Sequence, residues 1–246
     1  MPTKKVRKRK LNYKKLLILL LIIYLFGYGG YYIINEPIRN IIITGNTLVS
    51  DAEIIEAAGL KKYPSIFSIS IKNIKKKLKG LTLIEEVSVK RDLKFRLKIG
   101  VVETKPLFLN ITNGQIMLGN GTYTEDKHEY LGIPTLINYA DEAILKEFAI
   151  KMNVIDYGIL ALINEIQYAP AVGADGTNLD ENRFILYMND GNQVYTNINK
   201  CKNLVYYREF YASIKNQKGI LFLDSGNAKN FSFRTYESLL EDEPVT

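Results

Sequence analysis

The stretch "NIIITGNTLVSDAEIIEAAG", Asn40 to Gly59, carries a strand, a turn and a helix start within twenty residues. The β-branched run Ile41 to Thr44 is strand material, and Gly45-Asn46 closes it with a turn. Ser50, with Glu53 three residues on, forms a capping box in which each residue offers the other an acceptor for an orphan amide. In the helix that follows, Ile54, Ile55 and Ala58 share one face, and Gly59 stands where a left-handed cap is wanted.

Working toward the N-terminus, "LLILLLIIYLFGYGGYYII", Leu16 to Ile34, holds nineteen residues without a charge. A helix of that length spans roughly 28 Å, close to the hydrocarbon thickness of a bilayer. Tyr24, Tyr28, Tyr31 and Tyr32 weight its C-terminal half toward an interface. A cleaved signal peptide is the rival reading; it calls for a shorter apolar core and a small-residue site such as Ala-x-Ala, and no alanine precedes Ala52. The segment therefore reads as an uncleaved transmembrane helix. Residues 1–15 carry eight Lys or Arg and no acid, which holds the N-terminus in the cytoplasm and sends everything from Asn35 onward outside.

That basic tail also accounts for the net charge of +7, since the remaining 25 of the 33 bases face all 26 acids. A nucleic-acid binder would need its excess on the folded part, and this body is about neutral. The one cysteine, Cys201, allows no internal disulfide, so the exterior part stands on packing alone.

Working toward the C-terminus, "SIKNIKKKLKG" is a second amphipathic helix. Ile71, Ile74 and Leu78 form its dry stripe, Lys72, Lys75, Lys76, Lys77 and Lys79 lie on the wet side, and Gly80 stops it. That lysine face reads as solvated, or as attracted to anionic headgroups or wall polymers. Two period-two runs follow. Val87 and Val89 alternate with polar residues, and after Arg91-Asp92 so do Phe95, Leu97, Ile99 and Val101, which makes a hairpin with one buried face. Residues 35–105 thus spell strand, helix, helix, strand, strand: a small α+β domain with both helices on one face of a three-stranded sheet.

Beyond Pro106 short strands gather around Asn113-Gly114 and Asn120-Gly121. A helix is expected from about Asp141 to Tyr157, with Ile144, Phe148, Met152 and Ile155 as its stripe. "ALINEIQYA" is a strand, and "NRFILYMNDGNQVYTNI" is a hairpin turning at Asn189-Asp190-Gly191. A further helix, roughly Asn199 to Lys215, buries Leu204, Tyr207, Tyr211 and Ile214. "GILFLDSG" and "NFSFRTY" close a mostly antiparallel β domain with flanking helices over residues 106–236, and 237–246 is an acidic tail.

The catalytic inventory is nearly empty. The single histidine, His128, sits in a charged loop, where a zinc site would need three or four convergent ligands. Cys201 has no histidine to activate it. The loop Gly173 to Asn182 fails the calcium pattern, because counting from Asp175 places Leu179 where an oxygen ligand is required. Glu85 and Glu86 are strand neighbours that point to opposite faces. No catalytic residue, cofactor site or metal site is assigned, and the exterior part reads as a binding surface.

The outline resembles the FtsQ/DivIB family of bacterial cell-division proteins. The resemblance rests on "ITGNTLVSDAEIIEAAGL" close behind a single anchor, and on "SIF" at Ser65 to Phe67. It continues through "LTLIEEVSVKR" at Leu81 to Arg91, "LKIGVVETKPLFL" at Leu97 to Leu109 and the closing "GILFLDSGNAKNFSF" with Gly226. Departures are Thr82 and Leu93 where the family commonly has proline, and an acid displaced to Asp224. The resemblance implies a POTRA domain after the membrane helix. It also implies a non-enzymatic divisome scaffold at the septum that binds FtsL-type and FtsB/DivIC-type single-pass proteins and helps regulate septal peptidoglycan synthesis. A membrane-anchored wall hydrolase and another POTRA-type envelope assembly protein are the alternatives. The expected mode of binding is addition of a partner strand to the last strand, around Lys229 to Tyr236, with Phe231, Ser232, Phe233 and Tyr236 as its contacts. The competing expectation is that Phe231 and Phe233, which alternation sets on one face, belong to the core.

Overall fold

The computed structural model describes residues 12–92, 94–125, 130–173, 175–214, 216–224 and 232–241, so most of the basic tail, His128, Phe231 and the chain's last five residues lie outside it. The chain divides into two compact units, Met1–Glu103 and Thr104–Thr246.

The first unit opens with helix α1, Tyr13–Asn35, whose 23 residues include the expected span and start three residues earlier. Every one of them is solvent-accessible within the protein, and the helix is long and apolar enough to cross a bilayer. Strand β1 (Asn40–Thr44), helices α2 (Asp51–Ala58) and α3 (Ile71–Leu78), and strands β2 (Ile84–Asp92) and β3 (Arg96–Glu103) then give the expected βααββ order. The sheet order is β1-β3-β2, with β1 parallel and β2 antiparallel to the central β3.

Local chemistry explains the elements. Ser50 Oγ accepts from the Glu53 amide at 3.3 Å while the Glu53 carboxylate accepts from the Ser50 amide at 2.9 Å, so the capping box is complete. Gly59 ends α2 at φ 73°. Leu97, Ile99 and Val101 on β3 are buried together with Ile54 and Ala58 of α2 and Ile74 and Leu78 of α3, which puts both helices over one face of the sheet.

Two local expectations fail. Phe95 is not in the alternating strand; it sits in the β2–β3 turn at φ 57°, its amide donating to the Asp92 carbonyl at 3.1 Å. A bulge between Ile84 and Glu86 breaks the strand alternation, so Glu85 and Glu86 are both exposed instead of being divided between two faces.

The second unit is built on nine strands: β4 (Pro106–Asn110), β5 (Gln115–Leu118), β6 (Tyr123–Glu125), β7 (Thr135–Leu136), β8 (Ile163–Tyr168), β11 (Arg183–Met188), β12 (Gln193–Asn197), β13 (Gly219–Phe222) and β14 (Ser232–Thr235). Their order is β14-β13-β12-β11-β8-β7-β4-β5-β6, with parallel pairing at β12–β13, β7–β8 and β4–β7 and antiparallel pairing elsewhere. The acidic loop after β8 folds into its own two-stranded hairpin, β9 (Ala171–Val172) with β10 (Asn178–Asp180), around a turn in which the Asp175 carboxylate accepts from the Thr177 amide and hydroxyl.

Helices α4 (Glu142–Met152), α5 (Tyr157–Leu160) and α6 (Tyr207–Ser213) share one core with the sheet. At its centre Phe148 of α4 stacks on Phe184 of β11, ring centroids 3.8 Å apart. The helix expected from Asp141 to Tyr157 is two helices. Asn153 ends the first, and the Asp156 carboxylate caps the second by accepting from the amides of Gly158 and Ile159. Leu145 takes the fully buried position expected of Ile144, which is half-buried. The later helix starts as a 3-10 turn, Cys201–Tyr206, and continues as α6; Phe210 enters the core where Tyr211 was expected, while Tyr211 stacks beside Tyr207. A short helix, α7 (Tyr236–Glu241), follows the last strand.

Candidate functional site: an edge strand and its support

Strand β14 lies at one end of the nine-stranded sheet, where a strand keeps one row of backbone groups unpaired by its neighbours. It pairs with β13 antiparallel in the register Phe222 with Ser232 through Gly219 with Thr235. One residue further, the Tyr236 amide donates to the Lys218 carbonyl at 3.1 Å. Alternation in an antiparallel ladder then turns the backbone groups of Ser232 and Arg234 toward β13 and those of Phe233 and Thr235 away from it. The Thr235 carbonyl is taken by the Ser238 hydroxyl at 2.8 Å. Among the described residues, what β14 offers outward is therefore short: both backbone groups of Phe233 and the amide of Thr235.

The side chains divide differently from the sequence expectation. Phe233 turns inward against the core, its ring edge-on to Phe210 at 5.3 Å and its strand partner Leu221 buried. Tyr236 has left the strand to start α7, and its hydroxyl donates to the Gly191 carbonyl at 3.2 Å. Both rings serve their own domain, and Ser232 is exposed. Phe231 lies outside the described residues. Beside Ser232, the sheet face opposite the helices carries half-buried Ile220, Phe222 and Tyr195, with Phe222 and Tyr195 edge-on at 5.3 Å and Arg183 over the Tyr195 ring.

A turn supports this edge. Asn192, in the hairpin between β11 and β12, is buried; its side-chain oxygen accepts from the Gly219 amide at 3.0 Å and its amide group donates to the Tyr207 hydroxyl. Tyr207 in turn donates to Asp190 at 2.7 Å, and both the burial of that hydroxyl and the adjacent carboxylate push its pKa up. Gly219 itself has no room for a side chain, since a Cβ would stand 2.1 Å from the Arg234 carbonyl oxygen. Sequence reasoning placed the turn and Tyr207 but missed Asn192 and Gly219 as the supports of the edge. The one available signal was "NDGN", whose fourth residue is a second asparagine.

Cys201 is buried with its thiol on the Ile198 carbonyl, and burial pushes its pKa up to about 12. Among the described residues no group of three or more His, Cys, Asp or Glu side chains is placed to hold a metal.

Two charged side chains flank the boundary between the units. The Glu103 carboxylate accepts the amides of Thr47, Leu48 and Val49 at 2.9, 2.8 and 2.8 Å, closing the segment between β1 and α2. Lys105 donates to the carbonyls of Asn153 and Ile155 at the end of α4, and desolvation there lowers its pKa.

Comparison with known proteins finds these similarities. Residues 36–104 match the profile of the family described as POTRA domain, FtsQ-type. The chain is 26% identical to the cell division protein DivIB of Geobacillus kaustophilus over 92% of its own length and 88% of that protein's. It is 25% identical to DivIB of Listeria monocytogenes, over 91% and 84% respectively. A solved structure of the major extracytoplasmic domain of DivIB from Geobacillus stearothermophilus aligns to 46% of this chain and 95% of its own, at 22% identity and a TM-score of 0.36.

Proposed function

We propose, of a chain that is a relative of the FtsQ/DivIB family of bacterial cell-division proteins, that it acts in the divisome as a bitopic scaffold without catalysis. Its basic N-terminus stays in the cytoplasm, α1 crosses the membrane, and both folded units stand outside. Its partners are other single-pass division proteins of the FtsL and FtsB/DivIC types, and through them it helps regulate septal peptidoglycan synthesis. Tethering within a few residues of the bilayer raises the effective concentration of partner segments emerging from the same surface.

The observation that carries the docking mode is the position of β14 at a sheet edge, with an apolar strip of Ile220, Phe222 and Tyr195 beside it. An extended partner segment would take the outward backbone groups of Phe233 and Thr235 and set alternate side chains beside Ser232 and Arg234, which share the face of that strip. Ser232 contributes an exposed side chain, whereas Phe233 and Tyr236 contribute by fixing the strand's position. A proline at Ser232 would break the ladder to β13, since its amide faces inward, so substitution there cannot isolate partner loss. A photo-crosslinking amino acid at Ser232 can: in dividing cells it should yield adducts with a small single-pass protein, while the same group at exposed Leu179 should not. Adducts from position 179 with none from 232 would refute docking at this edge.

A further inference from the structure

The end of α1 is gripped by the domain that follows it. The last carbonyl groups of a helix lack helical partners, and here two groups around the end of α1 find partners in the loop between α2 and α3. The Ser65 hydroxyl donates to the Ile34 carbonyl, and the Ile66 amide donates to the Glu36 carbonyl at 3.4 Å. The Ile38 amide returns a bond to the Pro64 carbonyl at 3.1 Å, and Pro37 faces Ser65 in an antiparallel bridge. The β2–β3 turn joins the same cluster. The Arg39 amide donates to the Phe95 carbonyl at 2.9 Å, its guanidinium lies 5.3 Å from the Phe95 ring centre, and Phe67 meets that ring edge-on.

This pole exposes large aromatic side chains that its domain does not bury. Phe67 is 51% and Tyr63 45% accessible, the latter at φ 47°. Two residues reach at most about 7 Å, so Phe67 stands within that distance of the serine bonded to the top of α1. Lys61, Lys62 and Lys94 are exposed around it. Of the acids nearby, Glu36 pairs with Arg39 and Asp92 with Arg96 and Lys98, while Glu56, 3.4 Å from Lys61, offsets one of the three lysine charges.

We propose that this pole of the POTRA-like unit rests on the outer surface of the bilayer, with Phe67 and Tyr63 in the headgroup region and Lys61, Lys62 and Lys94 facing anionic lipid. Aromatic rings with one apolar body favour that zone, and lysines near an anionic surface gain by screening its charge. The inference rests on α1 spanning the membrane. Its consequence is that the first folded unit is seated on the bilayer and does not swing freely above it.

The sequence contains no tryptophan, so one introduced indole reports alone. The full chain carrying Phe67→Trp is reconstituted in phosphatidylglycerol–phosphatidylcholine vesicles, with and without lipid brominated high on its acyl chains. Emission should be quenched about twofold, as expected for a ring at the interface. The same substitution at Leu179, 70% accessible in the second unit, should show no quenching. Changing Lys61, Lys62 and Lys94 to glutamine should reduce the Phe67→Trp quenching in anionic vesicles. Leu20→Trp with deeply brominated lipid tests the span. Quenching at position 20 with none at 67 overturns the seating alone; no quenching at either overturns the span and the seating together. Equal quenching at 67 with and without the three lysines removes them from the contact.

Discussion

Replacing Glu103 with alanine should unfasten the segment between β1 and α2. The carboxylate accepts three consecutive amides, with Oε2 serving Thr47 and Leu48 and Oε1 serving Val49. A hydrogen bond to a charged group contributes about 1.5–3 kcal/mol net, and half-exposure of Glu103 argues for about 1 kcal/mol each, or about 3 kcal/mol together. For a domain of this size 1 kcal/mol moves Tm by about 4–8 °C, so the first unit should melt lower by roughly 12–24 °C. The sharper assay is hydrogen exchange on the full chain in micelles, where the amides of residues 47–49 should exchange about fivefold faster for each kcal/mol lost. Glu103→Gln should fall between, because one carbonyl oxygen can keep the Thr47 and Leu48 bonds while its NH2 group opposes the Val49 amide. Unchanged exchange at 47–49 in the alanine variant, with the fold intact, would refute the idea that this side chain holds the segment.

Three further outcomes follow from the geometry. Gly219→Ala should push β14 off β13, because the new Cβ meets backbone atoms at 2.1 and 2.8 Å; capture of partner proteins should be lost while hydrogen exchange in β8 and β11 stays as it was. Cys201 should resist iodoacetamide at pH 8 and react fully once the protein is denatured, since its thiol is buried with a pKa pushed up to about 12; stoichiometric labelling of the native chain would contradict this. Bonds from Arg96 and the Lys94 amide hold Asp92 below the usual carboxylate range. Its folded-state pKa is depressed, so its contribution is present above the ordinary value of about 4 and is lost as pH falls through the lower folded one. Exchange in the β2–β3 turn should therefore quicken on acidification in that window, and Asp92→Asn should remove the pH dependence.

The first unit was legible because its signals are short-range. Ser50 and Glu53 declare a helix start within four residues, and Leu97, Ile99 and Val101 declare a strand face within five. What escaped there was a single inserted residue at the Glu85–Glu86 bulge and a turn that claimed Phe95, both decided by pairing across strands. In the second unit the elements were mostly legible and their assembly was not. Alternation set Phe231 and Phe233 on one face but could not say which, since the choice depends on Phe210 arriving from α6. Asn192 is a polar residue in a turn by sequence and a buried bridge to Gly219 by structure. Ile144 and Leu145 compete for one buried position, and the core geometry around Phe148 selects the second.

The parallel pairing of β12 with β13 has a consequence for the order of events in making this protein. A parallel neighbour cannot be reached by a tight hairpin, so residues 198–218 must cross over before β13 can dock. Until residues 198–222 have emerged and folded, β12 is itself the open border of the sheet, a sticky seam. The closing hairpin is thus a stopper: a prematurely terminated chain leaves in its stead a border that invites aggregation.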